Sequence, residues 1–331
     1  MLEPIKLFRK GDTNNPDIKR VIDLAGNWTH YFVVSKNLYV PAVNWILKIG
    51  FPKGIGFYEY LLSVTKEEAR KVLEEAGERG SRIHSAIIDL LNKTEITKNS
   101  LYPNELTGRP ELLTQDEWAC LLSWQAFTLK YKPRTIAIEK TVATDKYAGT
   151  IDWIGYITLS AGDKINENGK SILNKETREI KILLDWKSSG AIYTEYKAQT
   201  GSYYDANGDE SIGYTGVLRM GTGHLNGLVQ EKGYGYELKI WDKNTTDQHI
   251  RAFKASQLLC ELENPEPYEF NTTEIPASIQ VDVPIVEDES KLQLDDKVKT
   301  PASPKVSKAK KAMPKKAKGE KTNVKVGLPN S

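Results

Sequence analysis

The segment from Ile182 to Gly190, "ILLDWKSSG", runs three apolar residues into an acid, an aromatic, a lysine and two serines. Burial penalises a carboxylate and an ammonium alike unless something pairs them, so Asp185 and Lys187 at the edge of an apolar strand need a reason. In extended chain, residues two apart project to the same side. That brings Asp185 and Lys187 to one spot and sends Trp186 the other way. An ion pair closing a strand would satisfy this pattern by itself. Upstream, however, "YAGTIDWIG" sets Asp152 in an otherwise apolar run, where a carboxylate is costly unless ligated or hydrogen-bonded. Two carboxylates on adjacent strands can share a hard divalent cation, which resolves the burial of both. Mg2+ accepts one or two carboxylates, keeps several waters and completes its shell with substrate phosphate oxygens, so these residues suit hydrolysis of a phosphodiester. Lys187 would then orient the attacking water and offset negative charge developing on phosphorus.

The elements that must hold these residues are legible as an α/β pattern. "TKEEARKVLEEAGERGSRIHSAIIDLLNK" reads as helix, with Thr65 and Glu68 as a capping box and Ile83, Ile87, Leu90 and His84, Ile88, Leu91 at helical spacing. The Gly77/Gly80 pair predicts a break or kink in it. A second helix is expected from Thr114 to before Pro133. Strands follow at "RTIAIEKTVA", "YAGTIDWIGYITL" and "REIKILLDWK", the last two separated by a polar, Gly-rich hairpin excursion. Helix is expected over "AIYTEYKAQTGSYYDAN", with Gln199 and Tyr203 at i,i+4 on one face with Ile192 and Tyr196. Strands are expected at "HLNGLVQ" and "GYELKIW", and a closing helix capped by Thr245 or Thr246. The sum is a mixed central sheet flanked by helices. Residues 1–60 read as an aromatic-rich, irregular segment packed on the core. The stretch 274–331, first acidic and then Lys-rich, reads as disordered.

The order of motifs resembles the RecB-like branch of the PD-(D/E)XK nuclease superfamily. Gly149 with Asp152 matches its G-x-x-D strand, Asp185 with Lys187 its (D/E)-x-K strand, Gln199 with Tyr203 its Q-x-x-x-Y helix, and Gly80 with His84 its upstream G-x-x-x-H. "YVPAVNWIL" is similar to the opening segment of phage and bacterial members, with Ala42-Val43-Asn44 in place of their Ser-Val-Thr type. The resemblance spans roughly residues 40–260, within a nuclease domain placed at 61–273. It implies a PD-(D/E)XK core in which His84, Asp152, Asp185 and the Trp186 backbone carbonyl ligate Mg2+ or Mn2+. Imidazole favours Mn2+ of the two. Asp152, Asp185 and Lys187, with Gln199 and Tyr203 near the reacting groups, would carry catalysis. Glu139, where many relatives have a Glu, is a further candidate: as another metal ligand, as a support behind the ligands, or as one arm of a plain salt bridge. The implied activity is a metal-dependent DNA exonuclease acting on linear ends in DNA processing or recombination, phage-type in context. The alternatives are an endonuclease on the same fold and a non-catalytic DNA-binding accessory protein.

Composition bounds the rest. The 331 residues, 39% hydrophobic with seven Trp, can bury a substantial core. Cys120 and Cys260 are the two cysteines, too few for the four-cysteine iron–sulfur cluster of some relatives, and they read as buried reduced thiols. No signal-peptide h-region and no membrane span is expected, which places the chain in the cytoplasm of a bacterial or phage-infected cell. No G-x-x-x-x-G-K-[ST] loop occurs, so unwinding would fall to a helicase, and strand annealing to a separate single-strand annealing partner. From Lys297 onward eleven Lys face one Glu, a net +10, which leaves −8 on residues 1–296 of a chain whose total is +2. Such a tail is either a solubilising extension or a sequence-independent tether to DNA phosphates.

Overall fold

The computed structural model describes residues 5–6, 8–23, 28–222, 234–263 and 274–275. The amino-terminal segment, expected to be irregular, is instead largely sheet. It comprises β1 (Ile5–Lys6), β2 (Phe8–Gly11), β3 (Ile18–Asp23), β4 (Trp28–Val33) and β5 (Leu38–Pro41), followed by α1 (Val43–Gly50) and α2 (Ile55–Ser63). Strands β2 to β5 pair antiparallel in chain order. These strands are only four to six residues long, too short for alternation to stand out, yet their branched and aromatic residues fit a pleated surface. Ile18, Tyr31, Val33 and Val40 pack together there with Ala42 and Ala148.

Next come α3 (Lys66–Leu91), β6 (Leu101–Asn104), β7 (Arg109–Leu112) and α4 (Gln115–Tyr131). Both helices begin with complete capping boxes, Thr65 with Glu68 and Thr114 with Glu117, each worth about 1 kcal/mol. The break expected at Gly77 and Gly80 is absent: α3 is one helix of 26 residues. Two glycines cost such a helix about 2 kcal/mol in all, whereas full burial of Ile83 and Ile87 returns about 1.5–3 kcal/mol for each.

The chain continues through β8 (Arg134–Ala143), β9 (Ala148–Leu159), β10 (Lys164–Glu167), β11 (Lys170–Leu173) and β12 (Arg178–Lys187). It ends with α5 (Thr194–Asn207), β13 (Tyr214–Thr222), β14 (Tyr234–Asp242), α6 (Lys243–Glu263) and β15 (Glu274–Ile275). Among the described residues β8 to β14 form a seven-stranded mixed sheet in the order β11-β10-β14-β13-β12-β9-β8. β12 and β13 run parallel, joined through α5, and β10 and β14 are also parallel. The polar excursion is the β10–β11 hairpin, docked on the sheet through β14. One face is covered by α3 and α4, through Ile83, Ile87, Trp124 and Phe127 against Trp153, Leu184 and Trp186. The other is covered by α1, α5 and α6, through Ile46, Ala198, Tyr203 and Phe253 against Ile154 and Leu183.

The strand expected at "HLNGLVQ" lies outside the described residues; β13 at 214–222, where Gly216 and Gly221 obscure the pattern, was not foreseen. Two further expectations need correction. The last helix starts at Lys243, and Asp242 rather than a threonine caps it, accepting from the Thr245 N–H at 2.9 Å. Ile192 precedes α5 instead of sharing its face. Glu274 and Ile275 pair with β1, and the rest of the expected disordered tail lies outside the described residues. Cys120 and Cys260 are both buried, and neither is in a disulfide. Among the described residues no helix is long and apolar enough to cross a membrane.

Candidate metal centre

The site lies where two strands part. β9 and β12 pair antiparallel from Leu159 opposite Arg178 to Trp153 opposite Leu184, and beyond that point β12 continues beside β13 while β9 stays with β8. In the gap, the Trp186 N–H donates to Asp152 Oδ2 at 2.6 Å. The side chain thus stands in for a main-chain acceptor and satisfies a buried donor. Asp152 is pinned through one oxygen, and its Oδ1 faces His84 Nδ1 at 3.6 Å.

His84 projects from the carboxy-terminal half of α3. Its ring lies edge-on to Trp186, 5.5 Å between centroids, and its Nε2 is 3.2 Å from the Trp186 carbonyl oxygen. A carbonyl can only accept, so Nε2 carries the proton of that bond. In the neutral ring Nδ1 then presents a lone pair to the two acids, the arrangement by which a second hydrogen bond fixes a metal-binding histidine. Glu139 Oε1 lies 3.9 Å from the same Nδ1. Glu139 sits inside β8 with φ of +49°, a left-handed conformation that costs a non-glycine residue about 1–2 kcal/mol. Burial, and the neighbouring Asp152 carboxylate, push its carboxyl up to about 7. Ligand atoms of His84, Glu139 and Asp152 fall within 4.8 Å of one another.

Asp185 and Lys187 share a face of β12, as alternation requires. The ammonium spans the carboxylate, 2.8 Å from Oδ1 and 2.7 Å from Oδ2. Asp185 is 1% exposed, and burial raises its carboxyl to about 6 against the opposing pull of Lys187. Burial alone would lower Lys187, but Asp185 and Asp152 outweigh it and hold the ammonium protonated. Lys187 also lies over the Tyr196 ring, 4.9 Å from its centroid.

The opposite wall comes from α1, α5 and the amino-terminal sheet. Gln199 Nε2 donates to the Tyr203 hydroxyl at 2.8 Å and to Asn44 Oδ1 at 2.9 Å, which ties the Q-x-x-x-Y helix to the start of α1. Gly149 makes room for this: a Cβ there would stand 2.5 Å from Tyr203 Cε1 and 3.3 Å from Val43. Gly80, by contrast, has only Ser188 Oγ nearby, at 3.9 Å. Together these residues line a cleft of about 460 Å3 that holds His84, Glu139, Asp152, Asp185 and Lys187. Arg20, Trp28 and Tyr31 complete it. Sequence reasoning missed these three because their sheet was not foreseen. The branched residues Ile18, Val21 and Ile22 of "IKRVID" were the available signal, a weak one because the buried pair Ile18 and Val21 does not alternate.

No protein-family model and no curated protein matches this chain. The site therefore has to be read from its own chemistry. A nitrogen and two carboxylates converging at this spacing form a donor group of the kind that could hold a metal ion. The structure gathers His84, Glu139 and Asp152 into one donor group. It sets Asp185 beside them under the lysine, and engages the Trp186 carbonyl with His84.

Proposed function

We propose that this chain is a metal-dependent deoxyribonuclease with a PD-(D/E)XK core, acting as an exonuclease on linear DNA. The observation that carries the reading is a His84–Glu139–Asp152 donor group beside a buried Asp185–Lys187 pair in one cleft. A divalent cation bound there would polarise a phosphoryl oxygen and acidify water. His84, Asp152 and Glu139 would hold it. Asp185 would share its carboxylate between the cation and Lys187, and the Trp186 carbonyl has a second lone pair to offer. Lys187, kept protonated by two acids, would steady the water that attacks phosphorus and the negative charge that builds as the P–O3′ bond breaks, leaving a 5′-phosphate. Gln199, fixed between Tyr203 and Asn44, would position the backbone of the strand being cut.

The test is digestion of end-labelled linear and covalently closed circular DNA in Mg2+, Mn2+ and EDTA, with wild type beside Lys187→Ala. Loss of linear DNA alone, dependent on metal and on Lys187, is the expected result. Cutting of circles would make the protein an endonuclease on the same chemistry. DNA binding with no cleavage under any condition would refute the enzymatic reading.

A further inference from the structure

We infer that Asn14, in the turn between β2 and β3, is a positioning residue of the metal centre, acting through Glu139. The inference rests on the proposed metal site and concerns how its most strained donor is held. β8 is an edge strand of the seven-stranded sheet, so one row of its peptide groups has no neighbouring strand to pair with. Around Glu139 that row is met by the side-chain amide of Asn14, with Asn15 at the next carbonyl along. Asn14 Nδ2 donates to the carbonyls of Ile138, at 3.2 Å, and Glu139, and Asn14 Oδ1 accepts from the Thr141 N–H at 2.9 Å. A primary amide offers a donor and an acceptor much as a peptide group does, so Asn14 serves as a one-residue neighbouring strand at the point where β8 departs from extended geometry.

The turn that carries Asn14 is itself fixed. Thr13 Oγ1 lies 2.7 Å from the Ile18 carbonyl, the Asp17 N–H donates to Asn15 Oδ1 at 3.0 Å, and Asn15 Nδ2 reaches the Thr141 carbonyl at 3.3 Å. Nothing local explains the left-handed backbone of Glu139, since glutamate gains nothing from it and an extended residue would continue the strand. Its effect is to set the direction in which the Glu139 carboxylate leaves β8, toward His84 Nδ1. The amino-terminal sheet is thereby part of the metal centre rather than an appendage, although it supplies no ligand.

The test is Mn2+ titration of the full chain by calorimetry, without DNA, for wild type, Asn14→Ala, Asn14→Asp, Glu139→Gln and the Asn14→Ala/Glu139→Gln pair. Loss of a residue that orients a metal ligand typically weakens binding about 10–100-fold. Asn14→Ala should fall in that range, and Asn14→Asp, similar in shape but without the amide donor, should lose at least as much. In the Glu139→Gln background, removing Asn14 should change Mn2+ affinity by less than about twofold, because interactions routed through one residue are not additive. Wild-type affinity in both Asn14 variants, or the same loss with and without Glu139, would overturn the inference. If wild type itself takes up no Mn2+, the metal site fails and this inference fails with it; if wild type binds and only the Asn14 effects are missing, the metal site stands.

Discussion

Replacing Lys187 by Met should make the protein's stability depend on pH in a way the wild type's does not. Methionine keeps most of the length and the apolar stem of the side chain but leaves Asp185, 1% exposed, without its partner. A carboxylate stranded in this way costs about 3–5 kcal/mol if it stays ionised, so the group will hold its proton instead. In the wild type, burial already raises Asp185 to about 6, with Lys187 as the main opposing influence; without Lys187 it rises further. A carboxyl raised on folding binds its proton more tightly in the folded than in the unfolded chain. Stability is then full below the unfolded value and falls as pH climbs toward the folded one. For the wild type that fall ends near pH 6, whereas in the variant it continues at up to about 1.4 kcal/mol per pH unit. The variant should therefore be only slightly less stable than wild type at pH 5 and about 2–3 kcal/mol less stable at pH 8. Urea unfolding in EDTA at pH 5, 6, 7 and 8 reads this directly as the difference between variant and wild type, and adding Asp185→Asn to the variant should remove the added slope above pH 6, leaving the part that Glu139 contributes. A destabilisation equal at all four pH values would refute the argument, because it would mean that Asp185 does not titrate in response to Lys187.

Other outcomes follow from the same geometry. Glu139, raised to about 7, must shed a proton to bind a cation, so Mn2+ affinity should climb between pH 5.5 and 7 by up to about tenfold per unit. Glu139→Gln should bind more weakly and lose that part of the slope, as calorimetry at several pH values would show. Gly149→Ala should destabilise by about 1–3 kcal/mol through its collision with Tyr203, and Gly80→Ala, with open space before it, should be neutral or slightly stabilising in thermal melts. Deleting residues 297–331, eleven Lys against one Glu, should flatten the salt dependence of DNA binding; an unchanged slope in fluorescence anisotropy would leave the tail as a solubilising extension.

What the sequence disclosed depended on how local the cause was. The capping box at Thr65, the helix start at Thr114 and the apolar run of "REIKILLDWK" are short-range patterns, and the elements they mark begin where expected. The shared face of Asp185 and Lys187 is local in the same sense. Gly77 and Gly80 misled because a propensity cost is local while the burial that outweighs it is not. The amino-terminal sheet was obscured by strands shorter than a recognisable period. At the site, Asp152 was legible as a carboxylate placed in an apolar run, and His84 through the resemblance of Gly80 and His84 to a family motif. The left-handed backbone of Glu139 was not, since the partners that sustain it, Asn14 and Asn15, are held from another sheet. Gly149 and Tyr203 were visible as separate motif positions, but their direct contact was visible only in three dimensions.

The distances along the chain between these partners bear on how the protein acquires its function. Glu139 is held by a residue 125 positions away, and His84 bonds to one 102 positions away. Closing loops of that length is entropically expensive and gives nothing back until the intervening elements are in place. A chain still emerging from the ribosome, or one cleaved within the seven-stranded sheet, would carry every donor residue up to its end and yet lack the constellation. Cation uptake would then report completion of the fold, and the cation, binding the folded chain alone, would pull late intermediates forward by mass action. For the nuclease proposed above, such an arrangement would be a safeguard: until the last strand docks, it would have nothing to cut with.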